Sequence, residues 1–276
     1  MKPHAGFFGK QMKEWIAFLH RASIVSVFVL GIGACAANAQ TASSQVQNKN
    51  AGTGSAPEEH GAVSDNQLFT HVIFDQFEGR TGGSDSRLRW DGEAWMGTDI
   101  SRFWIKSEGF AANGKVNDGD VEAFYDHPIP RTRYFDAQIG VREDLDSGPR
   151  RTWGAVGIEG LAPYFFHVAP TFYFRDGGHV AGRLTTTYDL LITQRLIAQP
   201  ELELNFYSKR DAQRLIGSGL SDLDTGIRVR YEIRRKFAPY VGFAYTRNYG
   251  ETANLIRQSG GHIAEPQLIF GLRIWY

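Results

Sequence analysis

Alternation of apolar and polar side chains constrains this chain more than any other feature. In residues 195–207 the even positions are apolar from Leu196 to Phe206, whereas the odd positions include Glu201 and Glu203. Successive side chains of a β-strand point to opposite faces, so this segment has one apolar face and one charged face. The pattern recurs along the chain as far as the last residue, Tyr276. A sheet with one apolar face throughout is therefore the first prediction.

The recurring segments have the length of about 9–11 residues that a tilted transmembrane strand needs. The segments are 87–96, 102–109, 118–126, 133–142, 151–161, 164–174, 179–190, 195–207, 222–234, 237–247 and 266–276. A soluble β-sandwich alternates in the same way, but these segments are long and their polar face carries many charges of both signs. Aromatic residues near the segment ends, among them Trp104, Trp153 and Tyr240, suggest the girdle of a membrane barrel. The pattern favours a membrane barrel over a sandwich.

The expected number of strands follows from the rule that bacterial barrels have an even number of them. Long connections near 208–220 and 250–264 alternate with short ones, as outer loops and periplasmic turns do in bacterial barrels. If the chain ends in the periplasm, segment 87–96 is the eleventh strand from the end and needs a partner before it. Segment 68–77 is the candidate, although its apolar residues also fit a helix face. We predict an all-β, antiparallel transmembrane barrel of twelve strands, with ten strands and an N-terminal plug as the alternative.

The N-terminus has the pattern of an export signal. Basic residues precede an apolar run over 24–37, which ends in the small-x-small sequence Ala37-Asn38-Ala39. The run is shorter than the roughly 20 apolar residues of a spanning helix. We therefore predict a signal peptide over 1–39, cleaved before Gln40. A lipoprotein modified at Cys35 is the alternative reading.

Composition separates the remaining chain into two parts. Residues 40–66 are rich in Gln, Asn, Ser, Gly and Ala and are predicted to be a disordered periplasmic segment, followed by the outer-membrane barrel over 67–276. The 30 basic residues balance the 30 acidic ones, which argues against nucleic-acid binding. Cleavage would remove Cys35, the only cysteine, and with it any thiolate metal site.

The polar face of the strands points into the lumen of such a barrel. We name its principal charged positions the lumen ladder: Asp91, Glu93, Glu108, Asp118, Asp120, Glu122, Glu201, Glu203, Arg228 and Arg230. Cross-strand ion pairs can fill a small barrel, so one interpretation is a stabilising interior and the other is a selective pore or cation path. The carboxylates would attract cations, but hard carboxylates alone do not select copper.

Catalytic patterns are weak. No Gly-x-Ser-x-Gly motif accompanies a histidine. Ser218 and His262 lie on long predicted outer loops and are the candidates for a hydrolase. We expect no enzyme.

The chain resembles the copper resistance protein B family of Gram-negative outer membranes over roughly 64–276. The matching stretches include Phe-Asp-Gln-Phe-Glu at 74–78, Trp-Asp-Gly-Glu-Ala-Trp at 90–95, Arg-Phe-Trp-Ile-Lys-Ser-Glu-Gly at 102–109, Tyr-Asp-Leu-Leu-Ile-Thr-Gln-Arg-Leu at 188–196 and Arg-Tyr-Glu-Ile-Arg-Arg-Lys-Phe-Ala-Pro-Tyr-Val-Gly at 230–242. The resemblance implies a cell outer membrane protein of copper resistance and homeostasis. It implies copper ions and membrane lipid as partners, beside a periplasmic multicopper oxidase.

Members of that family commonly carry a Met- and His-rich tract before the barrel. Thioether and imidazole groups suit copper, yet residues 40–70 contain His60 and no methionine. Met96 falls on the lipid face of its strand, which leaves His60 and His71 as the metal-ligand candidates. A general narrow pore or surface-interaction protein without copper specificity remains the first alternative, and an outer-membrane hydrolase the second.

Overall fold

A computed structural model describes residues 67–82, 86–112, 114–132, 134–146 and 150–276. The predicted signal peptide and the segment over 40–66 lie outside these residues. The elements are β1 (Phe69–Thr81), β2 (Arg87–Gly97), β3 (Arg102–Ala112), β4 (Lys115–Pro128), β5 (Phe135–Asp144), β6 (Thr152–Ala162), β7 (Phe166–Arg175), β8 (His179–Thr187), β9 (Leu190–Leu191), β10 (Leu196–Tyr207), β11 (Gly219–Tyr231), β12 (Phe237–Asn248), α1 (Gly250–Gln258) and β13 (Ala264–Trp275). Each predicted strand is present.

Neighbouring strands pair antiparallel in chain order, and the sheet closes on itself. β1 pairs with β13 from Ile73↔Trp275 to Thr81↔Leu268, so the first and last strands form the seam. β10 pairs with both β8 and β11, while the two-residue β9 pairs only with the start of β10. Twelve strands therefore form a closed barrel with one short extra strand, which confirms the twelve-strand prediction. Closure removes the free strand edges that would otherwise invite aggregation.

β1 is a strand, although its sequence alternates poorly. Its register shifts between Phe74 and Gln76 against β2 and between Phe74 and Phe77 against β13. One extra residue at a β-bulge moves the side chains beyond it to the other face. Ile73 is buried before the bulge, whereas Gln76 and Glu78 are buried after it. The bulge is the physical reason that the segment also fits a helix face.

The outer surface is apolar. Ile139, Val141 and Phe172 are each more than half exposed in the isolated chain, as expected for side chains that face lipid. Three aromatics assigned to the girdle lie elsewhere: Trp104, Trp153 and Tyr240 are buried inside the barrel. That part of the girdle prediction is wrong, because these three residues occupy the alternate strand positions whose side chains face the lumen. No helix in the described ranges is long and apolar enough to cross a membrane.

The two ends of the barrel differ. The turn end carries the start of β1, the end of β13 and the connections 98–101, 129–134, 163–165, 188–195 and 232–236. The loop end carries the other connections, including 208–218 and the segment that contains α1. Gly217 N–H donates to Thr252 Oγ1 at 2.8 Å, which ties these two long connections together.

A charged lumen with an acidic chamber

The strands place most of the lumen ladder inside the barrel. Asp120, Glu122, Glu201, Glu203, Arg228 and Arg230 are buried residues, and Asp91, Glu93 and Glu108 line an internal cavity. Asp118 differs, because it lies where β4 reaches the loop end and its side chain is 70% exposed. Alternation predicts which face of the sheet a side chain occupies, but not how far from the end of the barrel it lies.

Arg228 is the centre of one buried network. Its guanidinium donates to Glu78 at 2.9 Å and to Glu201 at 2.7 Å. Gln76 completes the group, since its amide oxygen accepts from Arg228 and its amide nitrogen donates to Glu201. Arg80 adds a further pair with Glu78 at 2.8 Å. The side chains of Arg80 and Glu78 are wholly buried, so charges on β1 and β11 neutralise each other away from water, as buried charges must.

Two arginines bridge strands on opposite sides of the lumen. Arg89 on β2 donates to Glu203 on β10 at 3.0 Å. Arg183 on β8 pairs with Glu108 on β3 and donates to Asp120 on β4 at 2.9 Å. β2 and β10, like β3 and β8, are five strands apart around the circle of twelve. These ion pairs therefore span the interior of the barrel.

Aromatic rings fill the space beside the second bridge. The Tyr173 hydroxyl donates to Glu122 at 2.6 Å. The Arg142 guanidinium carbon lies 4.8 Å from the Tyr173 ring centroid, a cation–π contact. Tyr173 packs in one cluster with Trp104, Phe124 and Trp153. This aromatic cluster packs one side of the lumen.

Loop 208–218 closes part of the loop end. Arg214 on this loop donates to Asp144 at 3.0 Å and pairs with Asp146 at 2.7 Å. It also reaches Asp118 at 3.3 Å. Asp144 and Asp146 belong to the end of β5 and the connection after it, so one guanidinium holds the loop against the rim on the far side of the mouth.

A cavity of about 500 Å³ occupies the lumen towards the turn end. We call it the acidic chamber. It reaches the turn end because Phe165 and Asp189, which lie in turns there, are among its lining residues. Its wall carries eight carboxylates against three cationic side chains: Asp75, Asp91, Glu93, Glu108, Asp120, Glu122, Glu159 and Asp189 against Lys106, Arg183 and Arg273. Carboxylates therefore outnumber cations among the lining side chains, although Asp120 and Asp189 are also paired with Arg142 and Arg230, which lie outside the lining.

Glu159 and His167 are two chamber residues that were not singled out from the sequence as site candidates. Glu159 pairs with Lys106, accepts from Gln138 at 2.8 Å and lies 3.3 Å from His167 Nε2. Asp91 and Glu93 form no side-chain hydrogen bond or ion pair within the described residues. Alternation along the segment of β7 placed His167 on the polar face, whereas the Gly-rich segment of β6 gave only a weak pattern around Glu159.

The predicted metal ligands do not converge. His71 lies at the turn end with its ring between Trp95 and Trp275, at centroid distances of 6.2 and 5.8 Å. His60 falls outside the described residues, and Met96 is exposed on the outer face. In the part of the chain that is described, no group of three or more His, Cys, Asp and Glu side chains is arranged to hold a metal ion.

Ser218 and His262, the hydrolase candidates, are not hydrogen-bonded to each other. The Ser218 hydroxyl donates to Glu251 of α1 at 3.2 Å. His262 is exposed beyond α1. Neither arrangement activates a nucleophile, since the serine proton is directed at a carboxylate rather than an imidazole.

Closed strand order, an apolar exterior and a charged interior define a transmembrane β-barrel of the outer-membrane type. Residues 68–276 match the family model described as "Copper resistance protein B precursor (CopB)". The chain belongs to the copper resistance protein B family. It is 41% identical to the copper resistance protein B homolog of Pseudomonas syringae pv. tomato over 214 residues, which cover 78% of this chain and 72% of that relative. It is 38% identical to copper resistance protein B of Escherichia coli over 215 residues, with the same coverage of 78% and 72%.

Solved porins show more distant similarity. The NanC porin matches with a TM-score of 0.47 and 13% identity over 75% of this chain and 99% of that one. The KdgM porin matches with a TM-score of 0.43 and 11% identity over 74% and 98%. The copper-resistance role therefore comes from the family, and the fold and family together support an outer-membrane location.

Proposed function

We propose that this protein serves copper resistance by binding copper ions in the acidic chamber, as a closed barrel rather than a free-diffusion pore. The observation that carries the proposal is the lining of the chamber, eight carboxylates against three cations with His167 beside Glu159. Low-dielectric walls lined by one sign of charge concentrate counter-ions. The imidazole of His167 supplies the borderline ligand that carboxylates lack for copper. The choice of copper rests on the family.

Access in this proposal is from the turn end. The chain is exported by its signal peptide, the segment over 40–66 lies in the periplasm, and the turn end faces that compartment. Copper enters the chamber from there, and a periplasmic multicopper oxidase works on the same side. The cross-lumen pairs of Arg89 and Arg183 block onward passage, so sequestration fits the interior better than export. The protein acts without a catalytic step.

Copper titration of the full chain refolded in detergent tests the chamber directly. We expect Asp91→Asn combined with Glu93→Gln to weaken binding of copper by roughly tenfold or more, because two carboxylates without side-chain partners are lost. Asp118→Asn is the matched control, since it neutralises an exposed carboxylate at the loop end. His60→Ala and His71→Ala test the two ligand candidates predicted from the sequence. Equal affinity in wild type and the chamber variant would exclude this site.

Bilayer conductance separates sequestration from the pore alternative. The wild type should conduct poorly, whereas Arg89→Ala combined with Arg183→Ala should conduct cations, since the variant removes both bridges and leaves their carboxylates. A wild type that already conducts as an open porin would contradict the closed-barrel proposal. Unchanged copper tolerance in a deletion strain would contradict the copper role itself.

A further inference from the structure

A second charged surface lies outside the lumen, at the turn end. The β11–β12 hairpin is tight, since Arg234 N–H donates to Phe237 O at 3.3 Å and Phe237 N–H donates to Arg234 O at 3.0 Å. Arg235 and Lys236 are its two central residues. Glu232 N–H donates to Arg195 O at 2.8 Å, which brings the β9–β10 connection alongside. We call the four basic residues Arg195, Arg234, Arg235 and Lys236 the basic rim.

The basic rim is exposed and its guanidinium groups are unneutralised. All four residues belong to the exposed class. Within the described residues, the side chains of Arg195, Arg234 and Arg235 make no ion pair. Asp189, on the connection between β8 and β9, is already paired with Arg230 at 2.5 Å, and Glu232 is the one carboxylate on the hairpin itself. With four basic residues against Glu232, the patch keeps a net positive charge.

The rim borders the lipid-facing surface. Tyr231, Ile233 and Phe237 flank it on the hairpin and are exposed on the barrel exterior. Lys236 Nζ lies 4.2 Å from the ring centroid of Tyr276, whose side chain is 77% exposed. Tyrosine at a barrel end occupies the headgroup level of a bilayer. The cations are therefore held where lipid phosphates lie.

We propose that the basic rim binds the phosphate groups of anionic phospholipids in the leaflet at the turn end. Arginine forks match phosphate oxygens in bidentate geometry, and clustered basic residues beside an apolar membrane-embedded surface attract anionic headgroups. The lipid tail of the same molecule lies against Tyr231, Ile233 and Phe237. Free phosphate would satisfy only the cationic half of this surface.

Lipid retention measured by native mass spectrometry tests the proposal. The full barrel is reconstituted in nanodiscs of equal parts phosphatidylglycerol and phosphatidylcholine, then released into detergent. We expect phosphatidylglycerol to be enriched among the retained lipids. The triple variant Arg234→Gln, Arg235→Gln, Lys236→Gln should lower that enrichment roughly tenfold or more.

Removal of three exposed charges at the loop end is the matched control. Lys115→Gln, Arg150→Gln and Arg257→Gln together should leave the enrichment unchanged. Equal loss in this control, or no loss in the rim variant, would overturn the proposal. Displacement of the lipid by millimolar inorganic phosphate would also overturn it, in favour of a site for free phosphate.

Two further measurements keep the test decisive. If the glutamine variant does not show the heat-modifiable migration of a folded barrel, Arg234→Lys with Arg235→Lys takes its place and should retain part of the enrichment. Loss of the retained enrichment down to the phosphatidylcholine level in that charge-preserving variant would contradict a charge-based site. Copper affinity of the rim variants should equal that of the wild type, which separates this surface from the chamber.

Discussion

Arg228→Met is the most informative perturbation of the barrel interior. Arg228 is 2% exposed and holds Glu78 and Glu201 at 2.9 and 2.7 Å. Methionine retains the apolar stem but removes the central cation of the network, so that Glu78 keeps only Arg80 at 2.8 Å and Glu201 keeps only Arg89 at 3.8 Å. Loss of one partner from a buried pair costs about 3–5 kcal/mol, so we expect the free energy of unfolding to fall by about that amount. Denaturant titration in lipid vesicles, followed by tryptophan fluorescence, measures it.

A double-mutant cycle isolates the pair itself. Adding Glu201→Gln to Arg228→Met removes one of the stranded charges, so the two substitutions should couple by about 1–3 kcal/mol. Arg210→Met is the control, because its pair with Glu251 at 3.4 Å has side chains 52% and 35% exposed. An exposed pair contributes about 0–1 kcal/mol. A loss below about 1 kcal/mol for Arg228→Met would refute the reasoning and show that water reaches the network.

Two further predictions follow from other parts of the barrel. A Cβ on Gly140 would lie 2.1 Å from Ala123 O, so Gly140→Ala should cost about 1–3 kcal/mol of unfolding free energy; the control Gly154→Ala, whose nearest neighbour would be at 3.8 Å, should cost little in the same titration. The pKa of Glu251 lies below 4.5, chiefly because the Ser218 N–H donates to it. A group whose pKa is lower in the folded state stabilises that state at pH values above its unfolded-state pKa. This stabilisation is lost as the pH falls through the folded-state pKa. Hydrogen exchange at Ser218 should therefore lose protection as the solution is acidified below pH 4.5, and Glu251→Gln should abolish that dependence; the same dependence in the variant would contradict the assignment.

Strand number and inward-facing positions were predictable, because period-two alternation depends on local sequence alone. The residues of β10 show the relation most clearly: Glu201 and Glu203 occur at alternate positions, and both are buried in the lumen. The requirement for an even number of strands also predicted β1, although the sequence of that segment alternates poorly. A barrel has to close, and an odd strand count would leave the last strand on the wrong side of the membrane.

The bulge, the burial of the large aromatics and the cross-lumen ion pairs were not predictable, because they depend on contacts that alternation does not describe. The bulge in β1 reverses parity within one strand, and no residue type in Phe74-Asp75-Gln76 marks it in advance. Trp104 and Trp153 were assigned to the exterior from their residue type, yet the lumen of a small barrel needs large side chains to fill it. The partners of Arg89 and Arg183 depend on which strands face each other after closure. Alternation along one strand gives no information on that pairing.

The bridges across the lumen also bear on how the barrel forms. Arg89 and Glu203 are 114 residues apart in the chain, and Arg80 and Asp224 are 144 apart. Contacts of such sequence separation form late, because loop closure must come first. Until β1 meets β13, these charges remain hydrated and oppose collapse of the interior. Sealing the seam and dehydrating the charges then become a single cooperative event. Membrane insertion would yield either a finished barrel or an open sheet that still holds water, with few stable states between them.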